Sequence, residues 1–341
     1  MGYTVKVGFG VVGLGRIGRL HSEILKVKIE NAELIAVCDV IKELAESVSK
    51  SLSVKWYTDF EEMLKDPKVD AVVISTPTFL HKDMIIKAAE YGKHVFVEKP
   101  LTVTVQEAKD VARAVKRYGI KLQVGYNRRF DYAYRKAKKD IEEGRIGKPI
   151  AFISIARDPG APPGWAADPK LSGGIFLDML SHDFDMARWL IGSEVKEVFV
   201  LGGNYIHEEI KRKGDLDVVS IVFSFDNNVQ GIIHGTRKFP YGYELRTEVY
   251  GTEGIVYVGS NVDNMYSLGV KEGLIYHGAP WFEKRFYDAY VEELRSFTES
   301  IIKDIEPLVT LEDGLRVIEI AEACWESVRN GKKVSVRRES V

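Results

Sequence analysis

A glycine-rich turn near the amino terminus constrains the fold of this chain more than any other feature. The run GLGRIG at residues 13–18 matches GxGxxG, follows the apolar run Val5–Val12 and precedes an amphipathic segment. Asp39 stands 21 residues beyond Gly18, near the end of the next apolar run, Leu34–Val40. A strand, a glycine turn, a helix and an acidic residue at this spacing are the fingerprint of a dinucleotide-binding βαβ unit. The turn therefore predicts a Rossmann domain at the start of the chain.

Each residue of the turn has a physical role in binding a pyrophosphate. Gly13 permits the tight turn, Gly15 lacks a Cβ that would block the phosphates, and Gly18 lets the helix pack closely on its strand. The helix that begins at Arg16 and Ile17 offers unpaired N–H groups and a partial positive charge to the phosphates. We therefore predict that these five residues bind the cofactor.

The acidic residue indicates which dinucleotide fits. Asp39 is expected to accept hydrogen bonds from both ribose hydroxyls, whereas its charge would repel a 2′-phosphate. Val40 and Ile41 supply no arginine to bind such a phosphate, although Lys42 lies close by. The sequence therefore favours NAD over NADP.

Composition excludes several other classes of protein. The 341 residues include 48 Lys and Arg against 50 Asp and Glu, so no basic excess suggests binding to nucleic acid. No apolar run approaches the roughly 18 residues of a membrane span, and no secretory signal is recognisable. Cys38 and Cys324 are the only cysteines. They exclude a cysteine-based zinc site and fit a reducing compartment, so we expect a cytoplasmic protein.

The pattern of apolar runs predicts two α/β domains. Up to about residue 125, apolar strands alternate with helical stretches, which is typical of a doubly wound parallel sheet. After Tyr126, strand candidates follow one another with short turns, which favours a mostly antiparallel sheet. We predict a Rossmann domain at residues 1–126 and a substrate-binding and oligomerisation domain at 127–341. The C-terminal helices could belong to the second domain or pack back on the first.

Polar residues at the ends of the first domain's strands are candidates for the cofactor side of the site. The carboxyl ends of such strands face the ligand crevice. A role at the surface is an equal alternative for His81, and Lys99 could instead be a solvated residue before a turn. The candidates are Ser75, Thr76, Pro77 and His81 after the fourth strand, Glu98 and Lys99 after the fifth, and Asn127 after the sixth.

The segment Phe176–Leu190 contains the most informative group of polar residues. On an α-helix, Asp178, His182 and Asp185 would fall within about 60° of one another, opposite an apolar side. Most polar stripes of this kind are solvent faces, but those are usually rich in Lys and Glu. We therefore predict that this helix presents Asp-His-Asp to a substrate.

These groups together favour the oxidation of a secondary alcohol. The sequence lacks HExxH, GxSxG and a P-loop, which argues against metalloproteases, serine hydrolases and P-loop enzymes. With NAD as hydride acceptor, His182 suits the role of base because the imidazole pKa is near 6.5. Asp178 would hold the imidazole tautomer, and Lys99 would stabilise the developing alkoxide.

Three further residues are candidates for contacts with the substrate hydroxyls. Arg157 and Asp158 end a predicted strand, where they could offer a guanidinium fork and a carboxylate, although a surface ion pair is an alternative. Tyr241 is a weaker candidate of the same kind.

Four motifs resemble the glucose–fructose oxidoreductase / inositol dehydrogenase / rhizopine catabolism family of oxidoreductases, and the resemblance covers nearly the whole chain. The last two motifs are most similar to the inositol 2-dehydrogenase branch. The motifs are VVGLGRIGRLH at 11–21, EKPL at 98–101, GYNRRFD at 125–131 and GGIFLDMLSHDFDMARWL at 173–190.

The resemblance implies a Rossmann domain followed by an α/β domain with a large open sheet, whose exposed face forms a dimer or tetramer interface. It implies Lys99, Asp178 and His182 as catalytic residues, and Arg128 and Asp185 as residues that contact the polyol. Asp158 stands where inositol dehydrogenases often have Asn, which bears on the pattern of substrate hydroxyls.

The resemblance makes an NAD-dependent myo-inositol 2-dehydrogenase the first hypothesis, with no bound metal. An aldose or other sugar dehydrogenase of the same family is the alternative within enzymes. A non-catalytic protein that senses NAD and sugar is an alternative of another class, but such a protein would be expected to lack Lys99 or His182, and both are present.

Overall fold

The computed structural model of the chain describes residues 6–162, 164–240, 242–259, 262–270, 273–278 and 282–340. The chain divides into two compact units. The first contains the residues up to Asn127 and Asp288–Arg316, and the second contains Arg128–Tyr287 and Val317–Glu339. The divisions near the C terminus fall inside two long helices.

The helices and strands alternate in the first third of the chain and separate after it. In chain order, the strands are β1 Val7–Val12, β2 Ala32–Cys38, β3 Lys55–Tyr57, β4 Ala71–Ile74, β5 His94–Glu98, β6 Leu122–Gly125, β7 Pro149–Arg157, β8 Val195–Gly203, β9 Val218–Phe225, β10 Gln230–Thr236, β11 Glu244–Gly251, β12 Ile255–Val258, β13 Val262–Val270, β14 Gly273–Gly278 and β15 Val334–Ser335. The α-helices are α1 Arg16–Val27, α2 Lys42–Leu52, α3 Phe60–Leu64, α4 His81–Glu90, α5 Val105–Tyr118, α6 Tyr132–Glu142, α7 Pro169–Ser172, α8 Ser181–Ile191, α9 Glu208–Arg212, α10 Phe282–Ile302 and α11 Leu311–Asn330.

The first unit is built on a six-stranded parallel sheet in the order β3-β2-β1-β4-β5-β6. Every residue of β1 and β4 is buried, because helices cover both faces of the sheet. The order reverses between β1 and β4, and ligands of such sheets bind outside the carboxyl ends of the strands at this point. The prediction of a doubly wound Rossmann sheet is confirmed.

The second unit contains a seven-stranded sheet in the order β12-β11-β7-β10-β9-β8-β15. All neighbouring pairs are antiparallel except β7 and β10, so the prediction of a mostly antiparallel sheet is confirmed. Along β9, the alternate residues Val219, Ile221, Phe223 and Phe225 are buried, as expected for a sheet with one covered face. The other face exposes Leu201, Val222, Ile232 and Tyr257.

Short or irregular elements were missed by the sequence pattern. The strand β3 has only three residues, none of them fully buried, so no apolar run marks it. The hairpin β13–β14 was also missed, since VDNMYSLGV contains no regular alternation of apolar and polar residues.

Two further properties bear on the environment of the protein. Cys38 and Cys324 are free and buried, and burial raises the pKa of the Cys38 thiol to about 12, which makes it unreactive. No helix in the described part of the chain is long and apolar enough to cross a membrane.

Candidate active site

The glycine turn of the first unit has the geometry that a bound pyrophosphate requires. Gly13 has a φ of +84°, which disfavours any residue with a side chain. A Cβ at Gly18 would lie 1.8 Å from the carbonyl oxygen of Gly13, so only glycine permits this approach. Beside Gly15 there is open space, and no side chain caps the N-terminus of α1. Its N–H groups are therefore available to phosphates.

Hydrogen bonds join the loops that follow β1, β2 and β4. Asp39 accepts the backbone N–H groups of Leu14 at 2.7 Å and Ile41 at 2.9 Å, one with each carboxylate oxygen. The Ser75 hydroxyl donates to the carbonyl oxygen of Gly13 at 2.8 Å. These bonds fix the Asp39 carboxylate at the end of β2, where a ribose would be bound. The residues of this unit thus fit a dinucleotide.

His81 is a buried residue, so the alternative of a surface histidine is wrong. Its side chain is 1% exposed, and its two ring nitrogens each lie 2.9 Å from a backbone carbonyl oxygen, of Thr76 and of Pro100. Burial lowers the pKa of its imidazole. The neutral ring has one N–H and donates it to one of these two oxygens, while the ring packs between the loops of Thr76–Pro77 and Lys99–Pro100.

Behind Lys99 lies a buried cluster that the sequence did not indicate. His21 Nε2 lies 2.6 Å from Glu98 Oε1, and Glu98 Oε2 accepts the backbone N–H of Lys99 at 3.2 Å. Glu293, from α10, lies beside them. One of its carboxylate oxygens, a ring nitrogen of His21 and a carboxylate oxygen of Glu98 all lie within 4.8 Å of one another. Burial, and then the charge of Glu98, raise the pKa of Glu293 well above its usual range, so its protonated form is favoured.

In the second unit, the segment that carries the predicted Asp-His pair is not one regular α-helix. A π-helical turn spans Ile175–Met179, and α8 begins only at Ser181. Within residues 175–188, Asp178 and His182 are the two whose side chains are partly exposed, and the other residues of this segment are buried. The structure therefore leaves both of these predicted residues accessible.

The prediction that Asp185 shares this exposed face is wrong. Its side chain is 0% exposed, and both carboxylate oxygens accept hydrogen bonds from Arg129, the shortest at 2.6 Å. The guanidinium carbon of Arg129 also lies 5.9 Å from the ring of Trp189, one turn along α8. Arg129 thus covers this side of the helix, and Asp185 is its buried partner.

Arg128 is similarly enclosed. Its Nη1 lies 3.0 Å from Asp183 Oδ1, and the Ser154 hydroxyl donates to the same oxygen at 2.6 Å. Burial lowers the pKa of Arg128, but Asp183, together with Tyr243 and Tyr134, raises it by more, so the net change is upward. The ion pair accounts for the burial of two charged side chains, Arg128 and Asp183. Asn127, just before it, is also buried.

The structure describes two of the three remaining candidates for substrate contacts, Arg157 and Asp158. Arg157 donates to the buried carboxylate of Glu244 at 2.6 Å and lies over the ring of Phe239, so it takes part in an ion pair. Asp158 is partly exposed, and its backbone N–H bonds the carbonyl oxygen of Thr236. Tyr241 lies outside the described residues.

Arg237 is a further charged residue of this site. Its side chain is 1% exposed and donates to Asp178 Oδ2 at 2.9 Å. No periodic pattern marks Arg237 in the sequence, because it follows β10 and contacts Asp178 only through the tertiary fold.

Comparison with known proteins decides the family. The profile of the oxidoreductase family with an NAD-binding Rossmann fold matches residues 7–126, and the GFO/IDH/MocA C-terminal domain matches residues 134–257. The chain belongs to the GFO/IDH/MocA family. It is an NAD-dependent oxidoreductase, as the resemblance of its motifs predicted.

Inositol dehydrogenases are prominent among its relatives. The chain is 41% identical to scyllo-inositol 2-dehydrogenase (NAD(+)) of Bacillus subtilis, over 97% of the chain and 96% of that protein. It is 38% identical to myo-inositol 2-dehydrogenase of Thermotoga maritima, over 97% and 98%. The crystal structure of scyllo-inositol dehydrogenase from Lactobacillus casei with NAD(H) and scyllo-inositol is 32% identical. It has a TM-score of 0.90, with 97% of this chain and 99% of that one covered.

Proposed function

We propose that the chain oxidises a secondary alcohol of a cyclitol, with myo-inositol at C2 as the first candidate. The observation that carries the proposal is the pair Asp178 and His182. They are the two accessible residues in a segment of the second unit that is otherwise buried. An imidazole beside a carboxylate, in an NAD-dependent oxidoreductase, is the combination that removes a hydroxyl proton. The names of the relatives support a cyclitol as substrate.

The chemistry of each candidate group gives it a role in this reaction. Bound NAD supplies the hydride acceptor, and the glycine turn and Asp39 of the first unit hold it. His182 takes the hydroxyl proton, and Asp178 stabilises the imidazolium that forms. Lys99 offers its ammonium to the oxygen on which negative charge develops. Of the other candidates, Asp158 is partly exposed, and we propose that it contacts a substrate hydroxyl.

The proposal is tested with a substrate panel, using NAD and NADP side by side. Formation of reduced cofactor is measured with myo-inositol, scyllo-inositol, D-chiro-inositol and D-glucose. We expect turnover with NAD and an inositol. Turnover with glucose alone would favour the aldose dehydrogenase, and tight binding of NAD and sugar without turnover would favour the non-catalytic sensor.

The reverse reaction distinguishes the two inositols of the relatives' names. Oxidation of myo-inositol at C2 and of scyllo-inositol gives the same ketone, because the two inositols differ only in the configuration at that carbon. Reduction of this ketone with NADH, followed by chromatography, therefore reports the face that receives the hydride. Myo-inositol is the expected product.

We further propose that the chain forms a homo-oligomer through the exposed face of its seven-stranded sheet. Val222 and Ile232 are cross-strand neighbours on this face and are about half exposed, at 52% and 43%. Adjacent exposed apolar side chains of this kind are typical of interfaces. Light scattering is expected to give a dimer or tetramer, and Ile232→Glu to give smaller species. A wild-type monomer would contradict the proposal.

We also propose that the protein functions in the cytoplasm. Its two cysteines are free and buried, as is usual in a reducing compartment.

A further inference from the structure

One arginine connects the proposed catalytic carboxylate to a second, buried carboxylate. Arg237 donates from Nη1 to Asp178 Oδ2 at 2.9 Å and from Nη2 to Asp215 Oδ2 at 3.2 Å. We propose that Arg237 is a positioning residue, which holds Asp178 in one orientation and sets, through its charge, how strongly His182 binds a proton. The inference rests on the proposed function, in which Asp178 acts on His182.

The second carboxylate ties this arrangement to the backbone of the π-helical turn. Asp215 is 1% exposed, and its Oδ1 accepts the N–H of Ile175, the first residue of the turn, at 3.0 Å. Its Oδ2 accepts from Arg237. Asp215 and Arg237 therefore hold both the start of the turn and the Asp178 side chain within it, so the carboxylate has little freedom to rotate.

The backbone of Arg237 is also held in place. Its N–H donates to the carbonyl oxygen of Asp217 at 2.9 Å. The Asp217 carboxylate in turn accepts the backbone N–H groups of residues 205–207. Burial would lower the pKa of Arg237, but the carboxylates of Asp178 and Asp215 raise it, so the guanidinium stays charged. The guanidinium of Arg237 is therefore a permanent positive charge that is held in one place, unlike that of a surface arginine.

The sign of its effect on His182 follows from the charges that surround it. Arg237 donates hydrogen bonds to Asp178 and Asp215, and the charge of Asp158 also raises its pKa. Its positive charge offsets part of the negative charge on Asp178, which weakens the attraction of that carboxylate for an imidazolium. Removal of the guanidinium would leave Asp178 with its full charge. His182 would then remain protonated to a higher pH, and less of it would be available as a base.

The test compares Arg237→Gln with Arg237→Lys. In Arg237→Gln, we expect the titration midpoint of His182 to move to higher pH, together with the acid limb of the kcat/KM profile. We expect kcat/KM to fall by about 10²-fold, because the carboxylate is misplaced. In Arg237→Lys, the midpoint should stay near that of the wild type, whereas kcat/KM still falls, since one ammonium cannot bridge two carboxylates. The midpoint is measured by NMR, with the His182 signal assigned by its absence from His182→Ala.

Two control variants separate this role from a merely structural one. Arg188→Gln removes another buried arginine, paired with Glu194 at 2.7 Å, and should leave the His182 midpoint unchanged. In an Asp178→Asn background, Arg237→Gln should shift the midpoint no further, because the proposed effect passes through Asp178. If Arg237→Gln folds poorly, the double variant with Asp215→Asn removes the buried carboxylate that is left without its partner.

The two proposals fail in different ways. The NMR titration does not depend on turnover, so a wild-type protein that oxidises no polyol contradicts the proposed function while the shift in midpoint still supports the role of Arg237. An unshifted His182 midpoint in Arg237→Gln, or an equal shift in Arg188→Gln, would overturn the inference.

Discussion

The substitution His182→Ala is expected to lower kcat/KM for the cyclitol by about 10²–10⁴-fold, the usual contribution of a positioned general base. The hydroxyl proton has no comparable acceptor once the imidazole is removed, so kcat should fall more than KM rises. Binding of NAD, measured by titration of the protein's fluorescence, should change little, because the dinucleotide fingerprint lies in the other unit. Steady-state rates of NADH formation over a range of pH give the comparison.

A second histidine provides a matched control for this prediction. His94 begins β5, at the opposite end of that strand from Lys99, and its Nδ1 accepts the N–H of Lys121. His94→Ala should therefore retain most of the activity. Full activity in His182→Ala, or an equal loss in both variants, would show that the imidazole is not the base. Partial rescue of His182→Ala by added imidazole would strengthen the assignment.

Features that depend on neighbouring residues in the sequence could be predicted. The turn at 13–18 needs its glycines for reasons that are local, namely a positive φ at Gly13 and a close approach at Gly18. The buried strands β1 and β4 are apolar throughout, which is the pattern of a parallel sheet covered on both faces. Local conformation and burial were therefore sufficient to predict the Rossmann sheet.

Features that depend on tertiary contacts could not be predicted in the same way. On an ideal helix, Asp185 would lie near His182, yet Arg129, which lies 56 positions earlier in the chain, covers it. The π-helical turn at Ile175–Met179 also breaks the 100° periodicity that placed Asp178, and a π-turn has no reliable sequence signal. Asp178 and His182 are nevertheless both partly exposed, as the helical pattern predicted.

Arg237 is another residue of the candidate site that the sequence pattern did not indicate. No motif contains it, and its partners Asp178 and Asp215 are 59 and 22 positions away. Only the return of β10 to the π-helical turn brings the three side chains together. A candidate catalytic pair can thus be proposed from a motif, whereas the buried partners of Asp178 are visible only in the folded chain.

The second large effect is expected for Lys99→Met, which should lower kcat by about 10²–10³-fold, the usual cost of removing one group that stabilises a developing oxyanion. The variant keeps an unbranched side chain of similar length, so the loop that His81 and Glu98 hold should remain in place. Lys87→Met is the control, because Lys87 is a partly exposed residue of α4 that pairs with Glu61.

The division of the loss between kcat and KM tests the role given to Lys99. Loss of an ammonium that acts on charge present only in the transition state lowers kcat and kcat/KM equally, whereas loss of one that merely binds a substrate hydroxyl raises KM. We expect the first result, together with an intermediate rate in Lys99→Arg, because a guanidinium keeps the charge but not the compact geometry. A rise in KM with kcat unchanged would reassign Lys99 to substrate binding. The developing alkoxide would then need another source of positive charge.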